Sequence, residues 1–80
     1  MEQELVLLKR FEKDNEWFHK NTEKLQGEGF VGKFVAIKDS RLIASDKNVD
    51  VLIREIEKKG ENPAFIVIEF VYPQGYTLIL

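Results

Sequence analysis

The sequence has 80 residues, of which 44% are apolar and 32% charged, and its formal net charge is −2. These values predict a single globular domain over residues 1–80 and exclude a disordered chain, because disordered chains contain too few apolar side chains to form a core. The chain has no cysteine, which excludes a disulfide framework, a zinc–thiolate site and a thiol nucleophile.

The first predicted element is a helix that covers about the first 26 residues. Its apolar side chains recur at spacings of three or seven, close to one helix face: Leu5, Leu8, Phe11, Phe18 and Leu25. Asp14 interrupts this stripe and suits the cap of a second helix beginning at Glu16. The pattern therefore predicts either one long helix or two helices with a joint near Asp14, ended by Gly27.

Two strands follow and form a predicted hairpin. The segment from Phe30 to Lys38 is rich in β-branched and aromatic residues, which is typical of a strand. Leu42 to Ala44 is a second, shorter strand. Asp39-Ser40 between them has the length and polarity of a hairpin turn, without the glycine that such turns favour.

A second helix is predicted after this hairpin. Asn48 is a suitable N-cap, and Asp50 lies in the first turn, where the helix dipole favours an anion. The apolar residues follow the i, i+3, i+4, i+7 template of an amphipathic helix: Val49, Leu52, Ile53 and Ile56. Gly60 ends the helix.

The last part of the sequence predicts two more strands. Ala64 to Tyr72 is almost continuously apolar, which is typical of a central strand covered on both faces. Pro73-Gln74-Gly75 is a turn, and the segment from Tyr76 to Leu80 is the final strand.

The order of these elements predicts an α+β fold. We expect a two-layer sandwich in which an N-terminal helix (or two) precedes a β-β-α-β-β unit. The four strands form a mixed or antiparallel sheet, and the helices pack on one face of it.

Two motifs resemble nucleotide-binding signatures, and their context argues against both. Gly27 to Gly32 spells G-x-G-x-x-G, but the segment follows a helix and leads into a strand, the reverse of a dinucleotide-binding fold. Val35 to Lys38 spells the V-A-I-K of protein kinases, yet no return strand separates it from the glycines. We therefore predict no cofactor.

A catalytic or metal site has one weak candidate, His19, with Asp14 or Glu23 as its partner. A lone histidine on a polar helix without a cysteine partner is weak evidence for either role. We expect no catalytic residues, no metal ligands and no enzymatic activity.

The final strand is the strongest candidate for a binding surface. It places aromatic and aliphatic side chains at the end of the sequence, with Tyr72, Tyr76, Leu78 and Leu80 as the predicted interface. No lysine or proline protects this edge, so either a neighbouring strand covers it or it is a docking edge for a second copy or another partner. Because so short a chain also forms only a small core, the sequence predicts an interaction or regulatory module that forms a homodimer or binds another small protein.

An alternative is nucleic-acid binding by the first hairpin. Four basic residues give this hairpin a local positive bias: Lys33, Lys38, Arg41 and Lys47. The net charge of −2 argues against nucleic acid for the whole chain.

The acidic start of the sequence is wrong for a signal peptide, and no apolar run is long enough to cross a membrane. We therefore expect no membrane association and a cytoplasmic location.

The sequence resembles a family of small stand-alone prokaryotic proteins known only as a domain of unknown function. The resemblance covers about Trp17 to Leu80 and rests on Trp17-Phe18, on the G-K-aromatic-V-A-I strand from Gly32 to Ile37, and on Pro63 before an apolar strand. Members commonly carry glycine in the hairpin turn, where this chain has Ser40. The resemblance implies the same order of elements and no enzymatic activity. Some members are encoded beside small aspartic-protease-like proteins, which implies a protein partner.

Overall fold

The computed structural model describes residues 2–75, with side chains described from Leu5 onward. Its elements in chain order are α1 (Glu2–Gly27), β1 (Phe34–Ile37), β2 (Leu42–Asp46), α2 (Val49–Lys58), a 3-10 turn (Pro63–Phe65) and β3 (Val67–Phe70). This order confirms the predicted elements from the first helix to the third strand. The predicted fourth strand, residues 76–80, lies outside the described residues.

The first helix is continuous, so the alternative with a joint near Asp14 is wrong. Phe11, Phe18 and Leu25 are spaced by seven residues and lie on the same helix face. Phe18 and Leu25 are buried, and Phe11 packs partly buried against the same cluster. Asp14 does not cap a helix, because its carboxylate binds the hairpin turn as described below.

The sheet has three strands among the described residues, in the order β2-β1-β3, and β1 pairs antiparallel with both neighbours. β1 is the central strand among these residues. The apolar run from Ala64 to Tyr72 is divided between the 3-10 turn and β3, which pairs with β1. The predicted central position of this segment depends on residues 76–80, which lie outside the described residues. β2 and β3 run in the same direction on either side of β1. The segment that connects them contains α2 and crosses over β1.

The two helices pack on opposite faces of the sheet, so the predicted two-layer sandwich is wrong. Val35 and Ile37 of β1 join Phe18 of α1 in one buried cluster. Ala36, whose side chain points to the other face, joins Leu52 of α2 in a second cluster. The sheet is therefore the middle of three layers, and β1 is buried on both faces.

Phe30 and Phe34 illustrate how the predicted first strand was too long. Phe34 begins β1 and packs on the α2 side, whereas Phe30 packs on the α1 side. Gly32 lies between them with a φ of 80°, a left-handed conformation that glycine adopts readily. This turn ends the extended backbone, so the two rings lie on opposite faces of the sheet.

The hairpin between β1 and β2 has the predicted two-residue turn. Lys38 and Arg41 exchange backbone hydrogen bonds of 2.9 and 3.2 Å. Asp39 and Ser40 have φ angles of 53° and 58°, the left-handed values required by the turn type whose twist matches paired strands. A bulge then shifts the register, since Ile37 lies opposite Leu42 and Ala36 opposite Ala44.

The second helix begins and ends as predicted. The Asn48 side-chain oxygen accepts hydrogen bonds from the backbone N–H groups of Asp50 at 2.8 Å and Val51 at 3.4 Å. After the last turn, Gly60 adopts a φ of 80°, and the Glu61 N–H donates to the Ile56 carbonyl at 3.2 Å. These caps satisfy backbone groups that the helix itself leaves without partners.

Candidate interaction surface

Exposed aliphatic side chains are concentrated near the start of α1. Leu5 is 55% exposed, and Val6 and Leu8 are each 58% exposed. Leu7 between them is half-buried. We call residues Leu5–Leu8 the amino-terminal apolar turn.

The exposure follows from helix geometry. Successive residues of an α-helix are rotated by about 100°, so four consecutive apolar residues point around the whole circumference. The sheet covers one side of α1 only, where Leu7 shares the face of Phe11 and Phe18. The other side chains of the apolar turn therefore face outward, although their residue types are typical of protein interiors.

Asp14 fixes the position of α1 against the hairpin. Its side chain is 4% exposed, and its Oδ1 accepts a hydrogen bond of 2.8 Å from the Ser40 backbone N–H. The carboxylate thus satisfies a backbone donor in the left-handed turn. Our sequence interpretation missed this contact, although an aspartate within an apolar helix stripe was the available signal.

The structure separates His19 from Asp14, one of its two predicted acid partners. His19 is exposed, and its ring meets Phe18 edge-on with centroids 5.7 Å apart. Asp14 is five residues away on the buried side of α1, and Glu23 is exposed. Within residues 2–75 no three histidine or acidic side chains are grouped in a way that would hold a metal ion.

One exposed acid of α1 has a shifted pKa. The Lys20 ammonium lies 2.9 Å from the Glu16 carboxylate, and this hydrogen bond and the positive charge lower the pKa of Glu16. The pair stabilises the ionised form of Glu16, so its small contribution is lost as the pH falls through this lowered value.

The four basic residues of the hairpin form two separate pairs. Lys38 and Arg41 flank the turn, and the Lys38 ammonium lies 2.5 Å from the Glu61 carboxylate. Lys33 and Lys47 flank the opposite end of the hairpin, where Phe34 pairs with Asp46. The hairpin therefore does not present one continuous basic patch, and nucleic-acid binding stays a prediction.

Tyr72 is the one member of the predicted strand interface that the described part of the chain includes. Its ring centroid lies 4.9 Å from that of Phe70, which in turn lies 5.0 Å from Phe34. The Tyr72 carbonyl accepts a hydrogen bond of 2.9 Å from the Gln26 side chain. Tyr72 thus extends an aromatic row that begins at Phe34, whereas Tyr76, Leu78 and Leu80 lie outside the described residues.

A shallow groove of about 250 Å³ lies between α1 and the hairpin. Trp17, Phe30 and Leu42 form its apolar wall, and Lys24 and Glu28 lie at its edge. The three apolar side chains also pack against the buried cluster under α1. Packing therefore accounts for the groove.

The glycine-rich segment forms the connection from α1 to β1. Gly27 ends the helix, and the Gly32 N–H donates to the Val71 carbonyl at 2.8 Å. The loop thus leads from a helix into a strand, as the sequence indicated, and it lacks the strand-to-helix order on which dinucleotide binding depends.

Comparison with protein families gives one match. The model of a family of unknown function, DUF5678, matches residues 26–73, which is more than half of the chain. The chain belongs to this family. The DUF5678 match begins at the end of α1, so Trp17-Phe18 and the amino-terminal apolar turn lie outside it, although we expected the resemblance to begin at Trp17.

No curated protein and no solved structure matched the chain. None of the helices in residues 2–75 has the length and apolarity needed to span a membrane.

Proposed function

We propose that this DUF5678 protein is a small intracellular interaction or regulatory module that binds another protein through the amino-terminal apolar turn. The observation that supports this proposal is the exposure of Leu5, Val6 and Leu8 within a little more than one helical turn. A run of exposed apolar residues is unfavourable in water unless a partner covers it.

The size of the chain strengthens this reasoning. A domain of 80 residues forms a small core and gains little stability to offset exposed apolar surface. Covering such surface contributes roughly 25 cal/mol for each Å² removed from water. A partner that covers the apolar turn therefore stabilises both the complex and the folded chain.

The same proposal gives the protein a non-enzymatic role. Asp14, one of the two acids considered as a partner for His19, is buried and holds the hairpin turn. Acid–base catalysis needs the participating groups within hydrogen-bond distance of the same reacting atom. The separation of Asp14 from the exposed His19 supports binding rather than catalysis.

Site-specific photo-crosslinking tests the proposed surface. A photoreactive amino acid replaces Leu8 in one variant and Val31 in another, and both are expressed in cells that make the protein naturally. Val31 is a suitable control because it is an exposed apolar residue in the loop after the far end of α1. We expect a discrete crosslinked protein from position 8 and none from position 31.

Two further measurements complete the crosslinking test. Mass spectrometry of the crosslinked band identifies the partner, and Leu5→Gln in the same variant should reduce its yield. Equal crosslinking from positions 8 and 31, or none from position 8, would contradict the proposed surface.

A further inference from the structure

We propose that one partner of the amino-terminal apolar turn is a second copy of this chain, with the two α1 helices paired antiparallel. The contact uses the outer face of α1, which comprises positions 2, 5, 6 and 9. This inference rests on the proposed function, because it names an occupant for part of the same surface.

The outer face is defined by helical spacing. Glu2, Leu5, Val6 and Lys9 follow the i, i+3, i+4, i+7 pattern of residues on one side of a helix. Phe18 packs against the sheet. Lys9 precedes Phe18 by nine residues, which is two and a half turns, so Lys9 and the rest of this face lie on the opposite side of the helix, away from the sheet. Leu5, Val6 and Lys9 are all exposed.

This pattern is complementary to its own reversed copy. An antiparallel pair with its two-fold axis between positions 5 and 6 sets Leu5 opposite Val6 of the second copy, and Glu2 opposite Lys9. A two-fold interface requires each patch to fit the same patch on its partner. A parallel pair would instead set Glu2 against Glu2 and Lys9 against Lys9, so charge complementarity selects the antiparallel arrangement.

The rest of the molecule leaves room for this contact. The paired segment ends at position 9, and α1 meets the hairpin turn at Asp14. Five residues of helix, about 7.5 Å at 1.5 Å per residue, separate the two points. The second copy therefore pairs with α1 before reaching the sheet.

The expected affinity is modest because the contact is small. Two helical segments of eight residues cover less area than the roughly 1,200 Å² at the lower end of standard interfaces. We therefore expect the dimer to form at micromolar concentrations and to dissociate on dilution.

Sedimentation equilibrium of the purified 80-residue protein from about 5 to about 500 µM tests the pairing. The wild-type mass should rise with concentration from 9.4 kDa towards twice that value. Leu5→Gln removes an apolar contact from both sides of the two-fold axis and should weaken dimerisation about 100-fold. Val31→Gln is the control, since Val31 is an exposed apolar residue in the loop after the far end of α1 and lies outside the amino-terminal apolar turn.

A charge exchange tests the antiparallel register. Glu2→Lys or Lys9→Glu alone should weaken the dimer about tenfold at low salt, and the double variant should restore it to within about threefold of wild type. Circular dichroism confirms that each variant stays helical. A protein that is monomeric throughout, a Val31→Gln variant that dimerises as weakly as Leu5→Gln, or a double variant without restoration would each overturn the proposal.

These outcomes separate this inference from the proposed function. Purified protein reports only on a second copy, whereas photo-crosslinking in cells reports on any partner. A monomer that still crosslinks to a different protein from position 8 would retain the interaction module and eliminate the dimer. Docking of the chain's own residues 76–80 on the outer face would also leave a monomer, and it too would overturn the dimer.

Discussion

Two residues at the tip of the β1–β2 hairpin adopt a backbone conformation that favours glycine. Asp39 and Ser40 both have positive φ angles, and this type of hairpin turn favours glycine at such positions. For residues with a Cβ atom this conformation costs about 1 kcal/mol or more. The hydrogen bond from the Ser40 N–H to buried Asp14 helps to hold the turn in place.

Ser40→Gly should therefore stabilise the protein by about 0.5–1 kcal/mol, because the gain at positive φ exceeds the entropy that glycine adds to the unfolded chain. Urea unfolding measures the change as a higher midpoint with an unchanged slope. Ser40→Ala is the matched control, since alanine keeps the Cβ atom. Equal stabilisation by alanine would show that the φ angle is not the cause.

Asp14→Ala should destabilise the protein by about 1–3 kcal/mol, because the Ser40 N–H loses its acceptor in a partly buried environment. Asp14→Asn keeps an acceptor oxygen and should lose less. Glu12→Ala, an exposed change on the same helix, should stay within about 0.5 kcal/mol of wild type in the same urea experiment. A loss from Asp14→Ala no larger than that of Glu12→Ala would refute the role of the carboxylate.

At the scale of elements, α2 was the most predictable from sequence and α1 the least. The cap at Asn48 and the apolar spacing of α2 depend on nearby residues, so local pattern determines both. Whether α1 broke near Asp14 depended on a hydrogen bond to a residue 26 positions away. Spacing along the sequence carries no information about that contact.

Asn48→Ala should destabilise α2 and the protein by about 1 kcal/mol, because two backbone N–H groups lose the side-chain oxygen that caps them. Asn48→Ser keeps a capping oxygen and should retain most of the stability. Thermal unfolding followed by circular dichroism measures both variants. If serine and alanine lowered the midpoint equally, the side-chain cap would not be the source of the effect.

For the whole molecule, the sequence predicted the order of the described elements but not the layers. Alternating apolar residues predict that a strand has two faces, and they do not say which helix covers each face. Ala36 decides the arrangement, because its small buried side chain joins Leu52 and Ile56 of α2 while Val35 and Ile37 contact the α1 side. The exposure of the amino-terminal apolar turn was also not predicted, because Leu5 and Leu8 fit the apolar stripe expected of a core-facing helix.

The three-layer arrangement divides the interior into two hydrophobic clusters with the sheet between them. The four buried members of the cluster beside α2, Ala36, Leu52, Ile56 and Ile66, all lie within the family-matched residues 26–73. Detachment of α1 would therefore open one cluster and leave the other closed, as a sub-global unfolding event. In native-state hydrogen exchange, the amides of α1 would then exchange at a lower free energy than those of β1 and α2.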